Sequence, residues 1–216
     1  MKARTAPFTS IADLTARANL GRATVKRLAD ADAFGSLKLN RRAALWQALD
    51  QTPSIEDLPL FASLEATDSP APALPTLTPQ QEVYADYHTS GLSLRKHPMS
   101  FFRAELDALK ITPAEQLVRQ PHGRSIKVAG LVLMRQRPGT AKGITFVTLE
   151  DETGVANLII HLHIWKKFEL AAKRASALIA EGRLERKDQV VHILVRRLED
   201  LQSRVQELHH RSRDFR

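Results

Sequence analysis

Apolar positions in the first fifty residues recur at helical spacing. Ile11, Leu14 and Ala18, then Val25, Leu28 and Ala29, then Ala44, Leu45 and Leu49 each mark one face of a short helix. Ser10 is placed to cap the first of these three helices. Asn19-Leu20-Gly21 breaks the chain before the second, with Gly21 as the residue expected to take a positive φ. Between residues 124 and 198 the period changes to two. Runs 124–136, 143–150 and 155–161 alternate as strands, 164–175 is helix-like, and 176–198 holds two further strands around the polar turn Arg186-Lys187-Asp188.

The chain between these regions has a different character. Residues 51–80 contain six of the eleven prolines and no Lys or Arg, so they are predicted to form an acidic linker or a draped strap, with "LPLF" pinning it. From 81 to 120 helix returns as a connector. A short helix ends near Ser90-Gly91, and Pro98 starts another that carries Phe101, Phe102, Leu106 and Leu109. "ITPAEQL" adds a helical turn with Thr112 as cap and Pro113 at the first helical position. His97 has no companions at metal-ligand spacing and is expected to cap a helix.

Charge follows the same divisions. The net charge is +8; residues 1–50 hold nine Lys or Arg against four acids, and residues 121–200 hold fourteen against nine. Basic modules at both ends suit a polyanionic partner, because neutralising phosphates releases condensed counterions. No apolar run approaches the ~18–20 residues of a membrane span, and no apolar stretch follows the basic N-terminus, so a cytoplasmic location and no membrane partner are expected. The chain has no cysteine, which removes disulfides, thiol nucleophiles and cysteine-based zinc sites.

These patterns predict an α+β chain. Its parts are an N-terminal helix-hairpin-helix module (1–50), the Pro-rich linker (51–80), the connector (81–120), a C-terminal five-stranded OB-fold β-barrel (121–200) and a basic tail (201–216). A helical hairpin turns backbone N–H groups at Gly21 toward a phosphate, with Arg22 and Lys26 adding charge, although a purely structural three-helix unit fits the same residues. OB barrels bind single strands across strands 2 and 3 and between the loops joining strands 1–2 and 4–5. Here those loops carry Arg135, Arg137 and Lys142, and Arg186 and Lys187, all candidates for phosphate. Alternation puts Ile144, Phe146 and Thr148 on one face of strand 2 and Val147 and Leu149 on the other, and the apolar count does not choose which is core. Phe146 is therefore a core residue or a stacking platform. Asn157, polar among apolar neighbours, is the candidate to read a base edge. The acidic turn Glu150-Asp151-Glu152 is expected to close a hairpin, with a metal left open.

"VAGLVLMRQRPGTAKGITFVTLEDETGVANLII" and "VVHILVRRLEDL" resemble the OB-fold near the C-terminus of bacterial error-prone DNA polymerases, relatives of the replicative polymerase III alpha subunit. "TSGLSLRKHPMSFFR" resembles the segment before that barrel, and "PFTSIADLTARANLGRATVKRLADADAFGSL" the helix-hairpin-helix region. After "ANLII" this chain has His161-Leu162-His163 where that family tends to have Trp-Pro. The resemblance implies damage-induced translesion synthesis, with single-stranded template and primer-template duplex DNA as ligands. It also implies a polymerase-like mutasome partner and the RecA-linked damage response as associates. The family's metal-holding carboxylates lie in a palm domain outside these motifs, so no catalytic, cofactor or metal residue is assigned, and Mg2+ is expected only with the polymerase core. Two rival readings are a standalone single-strand-binding adaptor and an OB-fold protein-interaction module. A nuclease using the acidic turn with His161 or His163 ranks last.

Overall fold

The computed structural model describes residues 6–49, 74–141, 143–187 and 190–201, with the backbone of 213–214. Residues 50–73, which hold most of the proposed linker and its LPLF strap, lie outside the described residues, as do Lys142 and most of the proposed tail. Two compact units are present, Met1–Ser90 and Gly91–Arg216. Their boundary divides the connector segment at Ser90-Gly91.

The first unit contains α1 (Ile11–Ala18), α2 (Arg22–Asp30), α3 (Arg41–Leu49) and α4 (Pro79–Ser90). Ser10 caps α1 as expected, its hydroxyl accepting the Asp13 N–H at 3.0 Å while the Asp13 carboxylate accepts the Thr9 N–H at 3.0 Å. The left-handed residue of the break is Asn19 (φ 51), not Gly21 (φ −73). The positive φ is needed where α1 terminates, and Asn tolerates that conformation, so Gly21 is left to serve as the extended N-cap of α2. Ile11, Val25, Ala29, Phe34, Ala44 and Ala48 form the small core. Pro79 opens α4 inside the span assigned to the linker. Buried Arg41 holds this helix, reaching Glu82 at 3.4 Å and hydrogen-bonding Asp86.

The second unit is a closed barrel built from β1 (Ser125–Gln136), β2 (Thr145–Asp151), β3 (Gly154–Ile160), β4 (Ala177–Lys187) and β5 (Val190–Asp200). The ladder runs β2-β3-β5-β4-β1 and closes by β1–β2 pairing; only β3–β5 is parallel among these five. Leu178, Leu184, Ile193 and Leu198 from β4 and β5 meet Val132, Val147, Leu149, Leu158 and Ile160 from the other strands in the core. Gly130 and Gly182 lie where strands cross so closely that any Cβ would collide with the backbone of Glu150 or Leu194. A two-residue β6 (Arg213–Asp214) pairs parallel to β1.

The helix predicted over 164–175 is two helices, α6 (Leu162–Lys167) and α7 (Glu169–Arg174), broken at Phe168 (φ −117, ψ 33). Ile164, Trp165 and Phe168 pack on the barrel core, while Ala172 and Ala175 complete it. No described helix is long and apolar enough to cross a membrane.

The connector closes over the acidic turn. Pro98–Phe102 is a 3-10 turn rather than the start of an α-helix; α5 (Arg103–Ala108) follows it, and a second 3-10 turn spans Ala114–Arg119. Pro113, not Thr112, occupies the cap position, and its ring supplies no acceptor. The N–H groups of Ala114 and Glu115 instead donate to Asp151 (2.8 Å) and Thr153 (3.1 Å) on the β2–β3 turn.

Candidate nucleic-acid interface

Barrel closure decides the question that alternation left open. Val147 and Leu149 point into the core, so Phe146, Thr148 and Glu150 look outward from β2. The antiparallel register sets Phe146 beside Ile159 and Thr148 beside Asn157, and the parallel register sets Asn157 beside His192. Phe146 is 37% exposed, Val155 52% and Val190 49%. Three large apolar side chains are thus left in water along one sheet face. Asn157 accepts the Thr148 hydroxyl at 3.3 Å through Oδ1, leaving its amide nitrogen without a partner among the described residues.

A cation stands at each end of this face, with outward-facing Glu150 opposite Val155 at one of them. Arg137, exposed, follows β1 and leads into β2 near Phe146. Its Nη2 lies 3.7 Å from a Cβ built on Gly143, so the loop returns alongside its own arginine. Exposed Lys187 ends β4, opposite Val190, at the other end of the β2–β3 hairpin. Arg186 is turned away from the face. Its guanidinium donates to the carbonyls of Val118 and Gln120 (3.1 Å for the latter), and its backbone N–H donates to His122 Nδ1 at 3.1 Å.

Arg135 departs most from the expectation of a phosphate contact. It is 7% exposed, and its guanidinium donates to the carbonyls of Ala172 (2.8 Å from Nε) and Ala175 at the end of α7. A bulge between Val132 and Met134 shifts the register by one residue, so Arg135 pairs with inward-facing Val147 instead of lying on the outer face. The side chain therefore caps a helix C-terminus, where a cation is favourable.

In the helical unit, Gly21 caps α2 without a side-chain hydrogen bond. Arg22 donates to the Leu49 carbonyl at 2.6 Å, and Lys26 pairs with Asp30 at 2.7 Å on the surface. The fold brings the three together on the start of α2, with both cations already engaged.

The acidic turn is consumed by structure. Asp151 accepts N–H groups from Thr153 and Gly154 and the Thr153 hydroxyl, at 2.6–3.0 Å, in addition to that of Ala114. Arg103 from α5 lies 2.5 Å from Glu152 and 3.5 Å from Asp151, and the Glu152 hydrogen bond raises its pKa further. His97 Nδ1 accepts the Met99 N–H at 3.1 Å, the expected capping role, and Nε2 lies 3.7 Å from Glu150. Burial pushes His97 below the ordinary histidine value, with the neighbouring carboxylates opposing it. His161 and His163 stack on each other, centroids 5.9 Å apart, beyond the opposite end of β3. Six residue steps of strand, roughly 20 Å, separate the acidic turn from these histidines, which does not support a shared nuclease site. Among residues that sequence reasoning passed over, Val155 and Val190 belong to the open face. Their signal is visible only once β5 is set parallel to β3.

A closed OB barrel together with a helical hairpin module is the architecture of a nucleic-acid-binding class of proteins. Family models agree: a helix-hairpin-helix motif matches residues 1–44 and an OB-fold nucleic-acid-binding domain matches residues 126–201. The chain is homologous to the C-terminal part of bacterial error-prone DNA polymerases. It is 49% identical over 210 residues to the error-prone DNA polymerase of Rhodopirellula baltica, covering 97% of this chain and 18% of that protein. It is 42% identical over 199 residues to that of Sinorhizobium medicae, covering 90% and 18%. The chain thus spans under a fifth of the length of these relatives. Among solved structures, asparaginyl-tRNA synthetase from Pyrococcus horikoshii aligns at 22% identity and TM-score 0.36, over 42% of this chain and 22% of that one.

Proposed function

We propose that this chain is the DNA-handling part of an error-prone polymerase, with the barrel holding single-stranded template along the outer face of β2, β3 and β5. The observation that carries this reading is the row of exposed Phe146, Val155 and Val190 beside Asn157, bounded by Arg137 and Lys187. Aromatic and apolar side chains between cations suit bases on a sheet with phosphates at its edges. The helical hairpin contacts the backbone of the primer-template duplex through Gly21, Arg22 and Lys26, and the two arms together serve damage-induced translesion synthesis in the cytoplasm. A polymerase-like mutasome partner and the RecA-linked damage response are the associates this role implies. Nucleotidyl transfer and its Mg2+ are assigned to a polymerase core, not to these residues.

The test is fluorescence anisotropy with labelled single-stranded and duplex oligonucleotides, comparing wild type with Phe146→Ala, Asn157→Ala and an Arg137→Ala/Lys187→Ala pair. Single-strand preference that weakens in all three variants supports the reading. Tight binding indifferent to all three would move the ligand off this face.

A further inference from the structure

We propose that a second nucleic-acid contact lies on α6–α7, where Lys166, Lys167, Lys173 and Arg174 line one cleft with Leu170 and hold the phosphodiester backbone of a single strand. This deepens the nucleic-acid reading above and rests on it. Lys166-Lys167 and Lys173-Arg174 are seven residues apart, so a helical path with only a small break at Phe168 returns both pairs to the same side. Glu169 is the one acid lining the cleft.

Several cations on the surface of the molecule are paired within the fold. Lys26 pairs with Asp30, Lys127 with Glu181, Arg183 with Glu185 and Arg197 with Glu199. By contrast, none of the four side chains in the cleft makes a hydrogen bond or ion pair among the described residues; Lys167 only overlies the Phe168 ring at 5.5 Å. Nor are Lys173 and Arg174 needed to complement the C-terminus of α7. Buried Arg135 already does so by donating to the Ala172 and Ala175 carbonyls. Four unpaired cations held close together repel one another, and a polyanion relieves that repulsion while releasing its own counterions. Leu170, 71% exposed in the lining of the cleft, adds an apolar surface that suits a sugar or base between phosphates better than a small inorganic anion.

The experiment titrates a labelled single-stranded oligonucleotide against the full chain over a series of salt concentrations. Wild type is compared with a fourfold variant (Lys166→Gln, Lys167→Gln, Lys173→Gln, Arg174→Gln) and with Phe146→Ala. Loss of four phosphate contacts should flatten the slope of log affinity against log salt by about 2–3 units and weaken low-salt binding by more than about tenfold. Phe146→Ala should weaken binding and keep the full slope. If the fourfold variant fails to fold, the two pairs are tested separately, each expected to remove about 1.4 units. An unchanged slope and affinity in the fourfold variant or in both pairs overturns the cleft, whereas loss on Phe146→Ala in the same experiment would leave the β2–β3 reading standing. The reverse pattern keeps the cleft and removes the β2–β3 face. A wild-type chain that binds no strand at low salt overturns both.

Discussion

The two units solve the same problem with different means. In the helical unit, the described core is six residues, half of them alanine, and a buried arginine pairs with two carboxylates on α4. In the barrel, a closed hydrogen-bonded ring surrounds a larger described core, and the comparable arginine, Arg103, works at the rim on an acidic turn. Where apolar burial is thin, charge becomes part of the fold. Where burial is ample, charge can be left at the surface for a ligand. Within the barrel unit, charge is structural at two places, the Arg103–Asp151–Glu152 cluster and Arg135, which a bulge turned inward.

Arg41→Ala gives the hardest test of this contrast. It leaves Glu82 and Asp86 facing a largely buried gap, and breaking a buried pair costs about 3–5 kcal/mol. Hydrogen exchange should show α3 and α4 amides losing protection while barrel amides keep theirs; equal loss in both units would break the comparison. Gly182→Ala attacks the barrel at its closest backbone crossing, where the new Cβ meets the Leu194 carbonyl. Overpacking of this kind costs about 1–3 kcal/mol, read as a lower denaturation midpoint. Arg135→Ala and Arg137→Ala, two residues apart, should separate structure from binding. The first should cost about 1.5–3 kcal/mol of stability through its lost charged hydrogen bonds. The second should leave stability unchanged and flatten the salt slope of single-strand binding by about 0.7.

Phe146→Ala should leave the unfolding midpoint near that of wild type and cost about 1–3 kcal/mol of single-strand affinity, measured by anisotropy. A loss of stability as large as that of a core truncation would return Phe146 to the interior. The smallest expected effect is pH dependence at the connector. His97 is held below the ordinary value of 6.5, so the folded state binds fewer protons there than the unfolded state. Its contribution to stability is present above that value and lost as pH falls below it. Denaturant titrations at neutral and mildly acidic pH should show this loss in wild type and a smaller one in His97→Asn.

Much of this architecture was legible in the order of short patterns. The period-two runs, the helical insert and the polar turns set the strand sequence of the barrel within one or two residues at each end, because alternation and turn chemistry are local properties. Ser10 and His97 were legible as caps for the same reason. Asn19, Pro113 and Phe168 were misplaced because a cap or break depends on which neighbouring group satisfies the helix end. For Ala114 that group is Asp151, thirty-seven residues away.

The residue pattern alone determined that β2 has two unlike faces, that Asn157 interrupts an apolar run, and that both ends of the chain are basic. Tertiary structure decided which face became core, because only ring closure makes one side of a strand interior. It also decided which cations remain available. One extra residue in β1 reverses the side on which every later residue of that strand lies, and so buries Arg135. Distant carbonyls engage Arg22 and Arg186 and leave Arg137, Lys187 and the α6–α7 cluster facing water, whereas the Lys26–Asp30 pair follows from helical spacing alone.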